Sequence, residues 1–101
     1  MEFEWDDAKR DSNIRKHGVD FADAARILSR EHFASTSSHT GEERIVAIGP
    51  LNPPGVRPKS WSGSLAVVVY TMRGDTYRII SARRANTNER KRYYSRFPRR
   101  S

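Results

Sequence analysis

The chain has 101 residues, a length that fits one domain and leaves little room for a second hydrophobic core. It contains no cysteine, which excludes disulfide bridges and thiolate metal sites. Nineteen Lys and Arg against 12 Asp and Glu give a formal charge of +7. A field of this sign attracts polyanions, so nucleic acid is the first partner to consider, although an acidic protein would be attracted as well.

The first residues of the chain, Met1–Asp7, are acidic and lack the basic and apolar regions of a signal peptide. No apolar run approaches the roughly 18 residues of a membrane span. We therefore expect a single domain over residues 1–101 that acts in the cytoplasm, without contact with a membrane.

The N-terminal part predicts a short strand followed by two helices. Phe3–Trp5 has strand character, and Asp6 is placed to cap a helix that Gly18 ends. Asp20 can cap a second helix, because the residues after it form one apolar stripe at helical spacing. The stripe consists of Phe21, Ala24, Ala25 and Leu28.

The middle of the chain gives weaker signals. His32–Ala34 predicts a short edge strand, whereas Ser35–Gly41 has the composition of a turn. Arg44–Ile48 predicts a strand that Gly49 and Pro50 end. Residues 50–64 are rich in proline and predict a long loop, and loops of this length are either functional or disordered.

The C-terminal part predicts a hairpin and a last helix. Leu65–Thr71 is apolar and β-branched, as in a central strand, and Arg73–Asp75 turns the chain back into Thr76–Arg84. Asn86 and Glu89 form a capping box that opens a helix. The elements together predict an α+β fold with two N-terminal helices, an antiparallel sheet of three to four strands and a C-terminal helix.

The basic strand Tyr77–Arg84 is the clearest candidate for chemistry. Regular alternation puts Tyr77, Ile79, Ser81 and Arg83 on one face and Arg78, Ile80, Ala82 and Arg84 on the other. Guanidinium groups match phosphate oxygens and stabilise the charge of a phosphoryl transition state. On this alternation the arginines end both faces, so only one face can line a site, and the other meets carboxylates or a partner. Alternatively, Arg78 and Arg83 pair with carboxylates around the sheet, the candidates being Glu42, Glu43, Asp75 and Glu89.

Five further side chains have the chemistry of an RNA site, and each has a structural explanation too. Lys16 and His17 can neutralise phosphate and move a proton, or only stabilise a helix C-terminus. Glu89 can act as a general base, or only complete its capping box. Tyr70 and Tyr93 can stack on bases, or pack in the core. With only three scattered histidines we expect no metal site and no cofactor.

Several residue strings, taken in order, resemble the BrnT family of type II toxins and span almost the whole chain. They are Phe3-Glu4-Trp5-Asp6, Arg15-Lys16-His17-Gly18-Val19-Asp20-Phe21, Arg44 with Ala47-Ile48-Gly49, Val68-Val69-Tyr70-Thr71, Arg73-Gly74, Arg78-Ile79-Ile80-Ser81-Ala82-Arg83-Arg84-Ala85, and Glu89-Arg90 with Tyr93.

The resemblance implies a RelE-like α+β fold, metal-independent cleavage of RNA, and neutralisation by a BrnA-like antitoxin that also links the pair to DNA. Residue by residue, it implies that Lys16, His17, Arg78, Arg83 and Glu89 form the catalytic group. The resemblance adds Arg84 as a phosphate contact. We expect RNA to be bound by a second set of residues, formed by Arg44, Tyr70, Ser81, Arg84 and Tyr93.

The chain departs from the family pattern at residues 50–63, where relatives join two strands with a few residues. This longer loop either contacts RNA or antitoxin, or is a neutral insertion. Two other functions stay open from the sequence: a non-catalytic nucleic-acid-binding regulator that acts with a partner protein, and a module that binds an acidic protein.

Overall fold

The computed structural model of the protein describes residues 2–29, 33–39, 42–51 and 65–97. Its elements, in chain order, are β1 (Glu2–Glu4), α1 (Asp7–His17), α2 (Phe21–Leu28), β2 (Phe33–His39), β3 (Glu42–Pro50), β4 (Leu65–Arg73), β5 (Thr76–Arg84) and α3 (Thr87–Arg96). The predicted order of a strand, two helices, further strands and a last helix is confirmed. Most of the proline-rich loop predicted at residues 50–64 lies outside the described residues.

The two N-terminal helices begin at the predicted caps, and the first also ends at the predicted residue. The Asp6 side chain accepts a hydrogen bond from the backbone N–H of Lys9 at 3.1 Å, and α1 ends at Gly18, whose φ of 70° is left-handed. The side chain of Asp20 caps α2 by accepting from the N–H of Ala22 at 3.0 Å. Asp20 also accepts two hydrogen bonds from the Arg10 guanidinium, both at 2.8 Å, so the N-cap of α2 is tied to α1.

The sheet has five strands in the order β1-β5-β4-β3-β2. This corrects the prediction of three to four antiparallel strands. β1 lies at one edge and pairs with β5 in parallel, while the three other pairings are antiparallel. The sequence signal for β1 was present, but the direction of its pairing with β5 depends on where the chain returns after five intervening elements.

The other edge strand is longer than predicted. Phe33 begins β2, as expected, but the strand continues to His39 through residues predicted to form a turn. Ser35 pairs with Val46 and Thr36 with Ile45, so β3 supplies a complete ladder for this polar segment. Serine and threonine are compatible with a solvent-facing edge strand once a neighbour fixes their backbone. Residues 40–41 lie outside the described ranges.

Apolar side chains are buried on both faces of the sheet. Helices α1 and α2 pack on one face, where Phe21, Ala24 and Ile27 meet side chains of β3, β4 and β5. Helix α3 packs on the opposite face, where Tyr93 meets Ile48, Leu65 and Val67. None of the helices in the described ranges has both the length and the apolar composition that crossing a bilayer requires.

Candidate functional site

Strand β5 does not alternate regularly. Val69 of β4 pairs with Ser81, but the next residue, Tyr70, pairs with Ile79, so Ile80 is an extra residue without a partner. Such a bulge moves all later side chains to the opposite face of the sheet. Burial agrees, because both Ile79 and Ala82 belong to the core under α1 and α2. The alternation predicted for this strand is therefore wrong beyond Ile79.

The bulge brings three polar residues of β5 to the face on which α3 packs. Arg78, Ser81 and Arg83 pair with Thr71, Val69 and Val67 of β4, which share that face. Arg44 of β3 lies on the same face. Because Ile45 pairs with Tyr70, the preceding residue, Arg44, is opposite Thr71 on the neighbouring strand. We call the surface formed by Arg44, Thr71, Arg78, Ser81 and Arg83 the arginine face. Arg44 and Arg78 are two strands apart, roughly 10 Å between their Cα atoms.

Arg83 is held by a carboxylate. Its Nη1 and Nη2 atoms donate to Oε1 and Oε2 of Glu89, each at 2.8 Å. Glu89 Oε1 also accepts from the backbone N–H of Asn86 at 2.9 Å, which confirms the predicted capping box of α3. The hydrogen bonds from Arg83 hold the pKa of Glu89 below its usual range, against the effect of burial. Glu89 is thus ionised at neutral pH, with both oxygens occupied.

The other two arginines are less well satisfied. Nη1 of Arg78 lies 3.6 Å from Oε2 of Glu4, a separation beyond a good hydrogen bond. Nε of Arg44 is buried and has no hydrogen-bond partner among the described residues. An unsatisfied buried guanidinium nitrogen is costly and is common at sites that await a ligand. Arg44 and Arg78 therefore have guanidinium nitrogens that are available to bind an anion.

The remaining polar groups of this surface differ in how they are satisfied. The Thr71 hydroxyl donates to the backbone carbonyl of Glu43 at 3.0 Å, which fixes it inside the sheet. Ser81 is half-buried between Arg78 and Arg83, and its side chain makes no hydrogen bond within the described part of the chain. Ser81 is thus the hydroxyl of the arginine face that is placed to donate to a ligand.

The other predicted site residues lie elsewhere. Lys16 and His17 are exposed at the end of α1, on the opposite side of the sheet, and no described contact joins them to the arginine face. Arg84 also points to that opposite side and is exposed. Tyr70 is buried in the core, with its ring centroid 5.3 Å from that of Tyr77. Tyr93 belongs to α3 and is buried where that helix packs on the sheet.

One residue that contacts the backbone of this surface was not identified from the sequence. Asn13 lies in the middle of α1 and is 6% exposed. Its carboxamide hydrogen-bonds the backbone of Ala82, the residue between Ser81 and Arg83. The available signal was an asparagine in a helix interior, a position that this residue type does not favour unless its side chain has a specific partner.

No cluster of three or more histidine, aspartate or glutamate side chains suited to a metal ion occurs in the described ranges. The arginine face is a cationic surface bordered by two carboxylates, Glu89 in direct contact with Arg83 and Glu4 at 3.6 Å from Arg78. Such an arrangement can bind a phosphodiester through guanidinium forks and stabilise negative charge that develops on its oxygens.

Comparison with known proteins agrees with this chemistry. The sequence profile described as "Ribonuclease toxin, BrnT, of type II toxin-antitoxin system" matches residues 5–89. The crystal structure of the Brucella abortus ribonuclease toxin BrnT is similar, with 32% sequence identity and a TM-score of 0.58. The match covers 86% of this chain and 99% of that one. Among curated proteins, none matches significantly. The chain therefore belongs to the BrnT family, the ribonuclease toxins of type II toxin–antitoxin systems.

Proposed function

We propose that this protein is an endoribonuclease that cleaves RNA at the arginine face, by attack of a ribose 2′-hydroxyl on the adjacent phosphate. The observation that carries the proposal is the bulge at Ile80, which gathers Arg78, Ser81 and Arg83 on one face beside Arg44. Without the bulge, Ser81 and Arg83 would point into the opposite, helix-covered core. The strand is thus built to present cations to a ligand.

In this mechanism the guanidinium groups bind the non-bridging oxygens of the scissile phosphate. The 2′-oxygen gives up its proton and bonds to phosphorus, the bond to the 5′-oxygen breaks, and the leaving oxygen takes up a proton. The products are a 2′,3′-cyclic phosphate and a 5′-hydroxyl. Arg78 and Arg83 stabilise the charge that develops on phosphorus oxygens, and Ser81 donates a hydrogen bond to one of them. No step requires a metal ion.

Glu89 has two tasks in this scheme: it positions Arg83 before the substrate binds, and it acts as a base afterwards. Its lowered pKa and bidentate contact with Arg83 make it first a residue that holds the guanidinium in place. It becomes available as a base for the 2′-hydroxyl when Arg83 turns from the carboxylate to the phosphate. Lys16 and His17 stay proposed helpers, which from the end of α1, on the opposite side of the sheet, would contact RNA away from the scissile phosphate.

The family implies an antitoxin, and we propose a BrnA-like protein in that role. Such a partner gains most by presenting carboxylates to the arginine face and excluding RNA from it. Its contact with DNA would be indirect for this chain, through the antitoxin alone. We also propose a RelE-like fold, because the chain orders a strand, two helices, an antiparallel four-stranded unit and a helix. An enzyme acting on RNA would work in the cytoplasm, where its substrate is.

The test is cleavage of RNA by purified, antitoxin-free protein in the presence of EDTA. We expect degradation with 2′,3′-cyclic ends, and Arg83→Ala should lower kcat roughly 100- to 1000-fold, as loss of a transition-state donor does. Arg26→Ala, which removes a positive charge from the exposed side of α2, is the matched control and should cleave normally. Folded protein that binds RNA without cutting it would instead indicate a regulator.

A further inference from the structure

Strand β5 has little support along one of its edges. Within the described ranges, β1 pairs with it only from Thr76 to Arg78. Beyond Arg78, the backbone of Ala82 finds its partner in a side chain. The Ala82 carbonyl accepts from Nδ2 of Asn13 at 2.7 Å, and the Ala82 N–H donates to Oδ1 of Asn13 at 3.2 Å. The carboxamide thus supplies one donor and one acceptor, as a residue of a neighbouring strand would.

The same side chain is anchored at a second point. Nδ2 of Asn13 also donates to the carbonyl of Val19 at 2.9 Å, in the segment that joins α1 to α2. Asn13 is buried, so water does not compete for these bonds. The carboxamide of Asn13 therefore fixes the position of Ala82 relative to α1 and to the segment between α1 and α2.

This contact selects the register of β5. Backbone N–H and C=O groups of successive residues point to opposite edges of a strand, as their side chains point to opposite faces. If β5 continued without the bulge at Ile80, Ala82 would direct its backbone groups to β4, away from Asn13. Ser81 and Arg83 would then face the α1 and α2 core, and Arg83 would lose Glu89. The bonds to Asn13 are compatible only with the bulged register.

We propose that Asn13 is a positioning residue of the active site, whose carboxamide holds β5 in the bulged register that places Ser81 and Arg83 beside Arg78. The side chain does not touch the arginine face and acts through the backbone of Ala82. A one-residue slip exchanges the two faces of a strand, so a single buried amide is sufficient to decide which face carries the cations. The expected effect on RNA cleavage rests on the proposed function. The effect of Asn13 on the register of β5 does not depend on that function.

The experiment compares Asn13→Ala with Leu28→Ala. Leu28 is buried in α2 and its side chain has no hydrogen-bonding group, so its truncation destabilises the core through a cavity and removes no hydrogen bond to β5. Two kinds of measurement are made at a temperature where both variants are folded: the kinetic constants kcat and KM for RNA, and the pKa of Glu89 by carboxyl NMR. The pKa reports whether Arg83 still contacts Glu89.

We expect Asn13→Ala to lower kcat roughly 100-fold with a smaller change in KM, as misplacement of reacting groups does. The pKa of Glu89 should rise towards its usual value in the same variant. Leu28→Ala should leave both quantities as in the unaltered protein. If Asn13→Ala keeps the low Glu89 pKa and the kcat of Leu28→Ala, Asn13 supports only stability and the inference is overturned.

A second variant separates register from stability. Deletion of Ile80 makes β5 regular while keeping Ile79, Ser81 and Ala82 opposite their present partners. In this background the register no longer needs Asn13, so adding Asn13→Ala should leave the Glu89 pKa low. A Glu89 pKa that rises in the double variant as in the single one would contradict the proposal.

Two outcomes distinguish this inference from the proposed function. If the folded, unaltered protein leaves RNA intact, the proposed function fails, while the Glu89 pKa still decides the task of Asn13. If Asn13→Ala does not fold, hydrogen exchange of the Ala82 amide in the unaltered protein is the measurement. We expect slow exchange, and an amide that exchanges as fast as an exposed one would overturn the contact.

Discussion

Arg44 is a residue whose proposed role in RNA binding opposes its effect on stability. Its Nε is buried without a hydrogen-bond partner among the described residues. Its neighbour on the same face of the sheet is Thr71 of β4, and Arg78 lies one strand further. A group in this state costs free energy in the unliganded protein. Residues that destabilise the resting structure in this way are frequent at binding sites, because the ligand supplies the missing contact.

We expect Arg44→Met to weaken RNA cleavage without weakening the fold. Methionine fills a similar volume without a buried polar atom, so the free energy of unfolding should stay unchanged or rise by up to about 1 kcal/mol. The kcat/KM for RNA should fall about 10-fold with the loss of one phosphate contact. Urea denaturation and initial rates measure the two effects. Full activity in Arg44→Met would assign this residue to packing alone.

Glu89 gives a pH-dependent contribution to stability at the same scale. Arg83 lowers its pKa in the folded protein, so its carboxylate favours folding. This contribution is complete above the pKa of the unfolded chain and is lost as the pH falls through the lower, folded value. Glu89→Gln should therefore reduce the free energy of unfolding by about 1 kcal/mol near neutral pH, and by nothing in strong acid.

The control for Glu89→Gln is Glu43→Gln, which alters an exposed side chain on β3. It removes the same charge, so the two variants separate the Arg83 contact from the effect of net charge. Equal urea midpoints for the two variants at neutral pH would contradict a stabilising contact between Arg83 and Glu89.

At the scale of elements, α1 and α2 act as one unit because Asp20 is both the N-cap of α2 and the partner of Arg10. Hydrogen bonds from Arg10 and from the N–H of Ala22 lower the pKa of Asp20 to about 2. The unit matters for the site, since α1 carries Asn13 to the backbone of β5. The position of the arginine face on one side of the sheet is thus linked to helix packing on the other.

Two substitutions divide the tasks of Asp20. Asp20→Ala removes cap and ion pair and should lower the free energy of unfolding by about 1 to 2 kcal/mol. Asp20→Asn keeps a capping oxygen and should cost less than half of that. Because the pKa of Asp20 is depressed, the ionic part is present above about pH 4 and is lost as the pH falls towards 2. Thermal unfolding at neutral and acid pH measures the stability of both variants. If Asp20→Ala and Asp20→Asn lost equal stability at neutral pH, the cap would make no separate contribution.

The elements also show where local sequence was sufficient. Caps and apolar spacing predicted all three helices, because those signals act within a few residues. The strand over Ser35–His39 was predicted as a turn, since its ladder comes from β3 and not from its own residues. The bulge at Ile80 left no local signal either, because it depends on β4 and on Asn13, 69 residues from Ala82.

On the scale of the whole molecule, the chain has a formal charge of +7, and the fold brings three of its arginines to one surface. Arg44, Arg78 and Arg83 come from two strands and share one face of the sheet. Binding of RNA there should release counterions in proportion to the phosphates contacted, which makes affinity fall with salt.

We expect the logarithm of affinity for RNA to fall with the logarithm of salt concentration with a slope of about −2 for three phosphate contacts. An RNA methylated at its 2′-hydroxyls resists cleavage and allows equilibrium titration. Arg78→Ala should reduce the steepness by about 0.7, the value for one contact with a single strand. Arg26→Ala, which lies outside the arginine face, should leave the slope unchanged, and an equal loss in both variants would indicate diffuse attraction.

By itself the sequence determined the α+β class, the three helices with their caps, the family, and the residue types of the proposed RNA site. These features follow from short-range spacing and from charge. The tertiary structure alone decided which of those residues meet: it placed Arg44, Arg78, Ser81 and Arg83 together, moved Arg84 to the other side, and buried Tyr70 in the core. The reason is that the face of a strand depends on register, and register is set by contacts between distant parts of the chain.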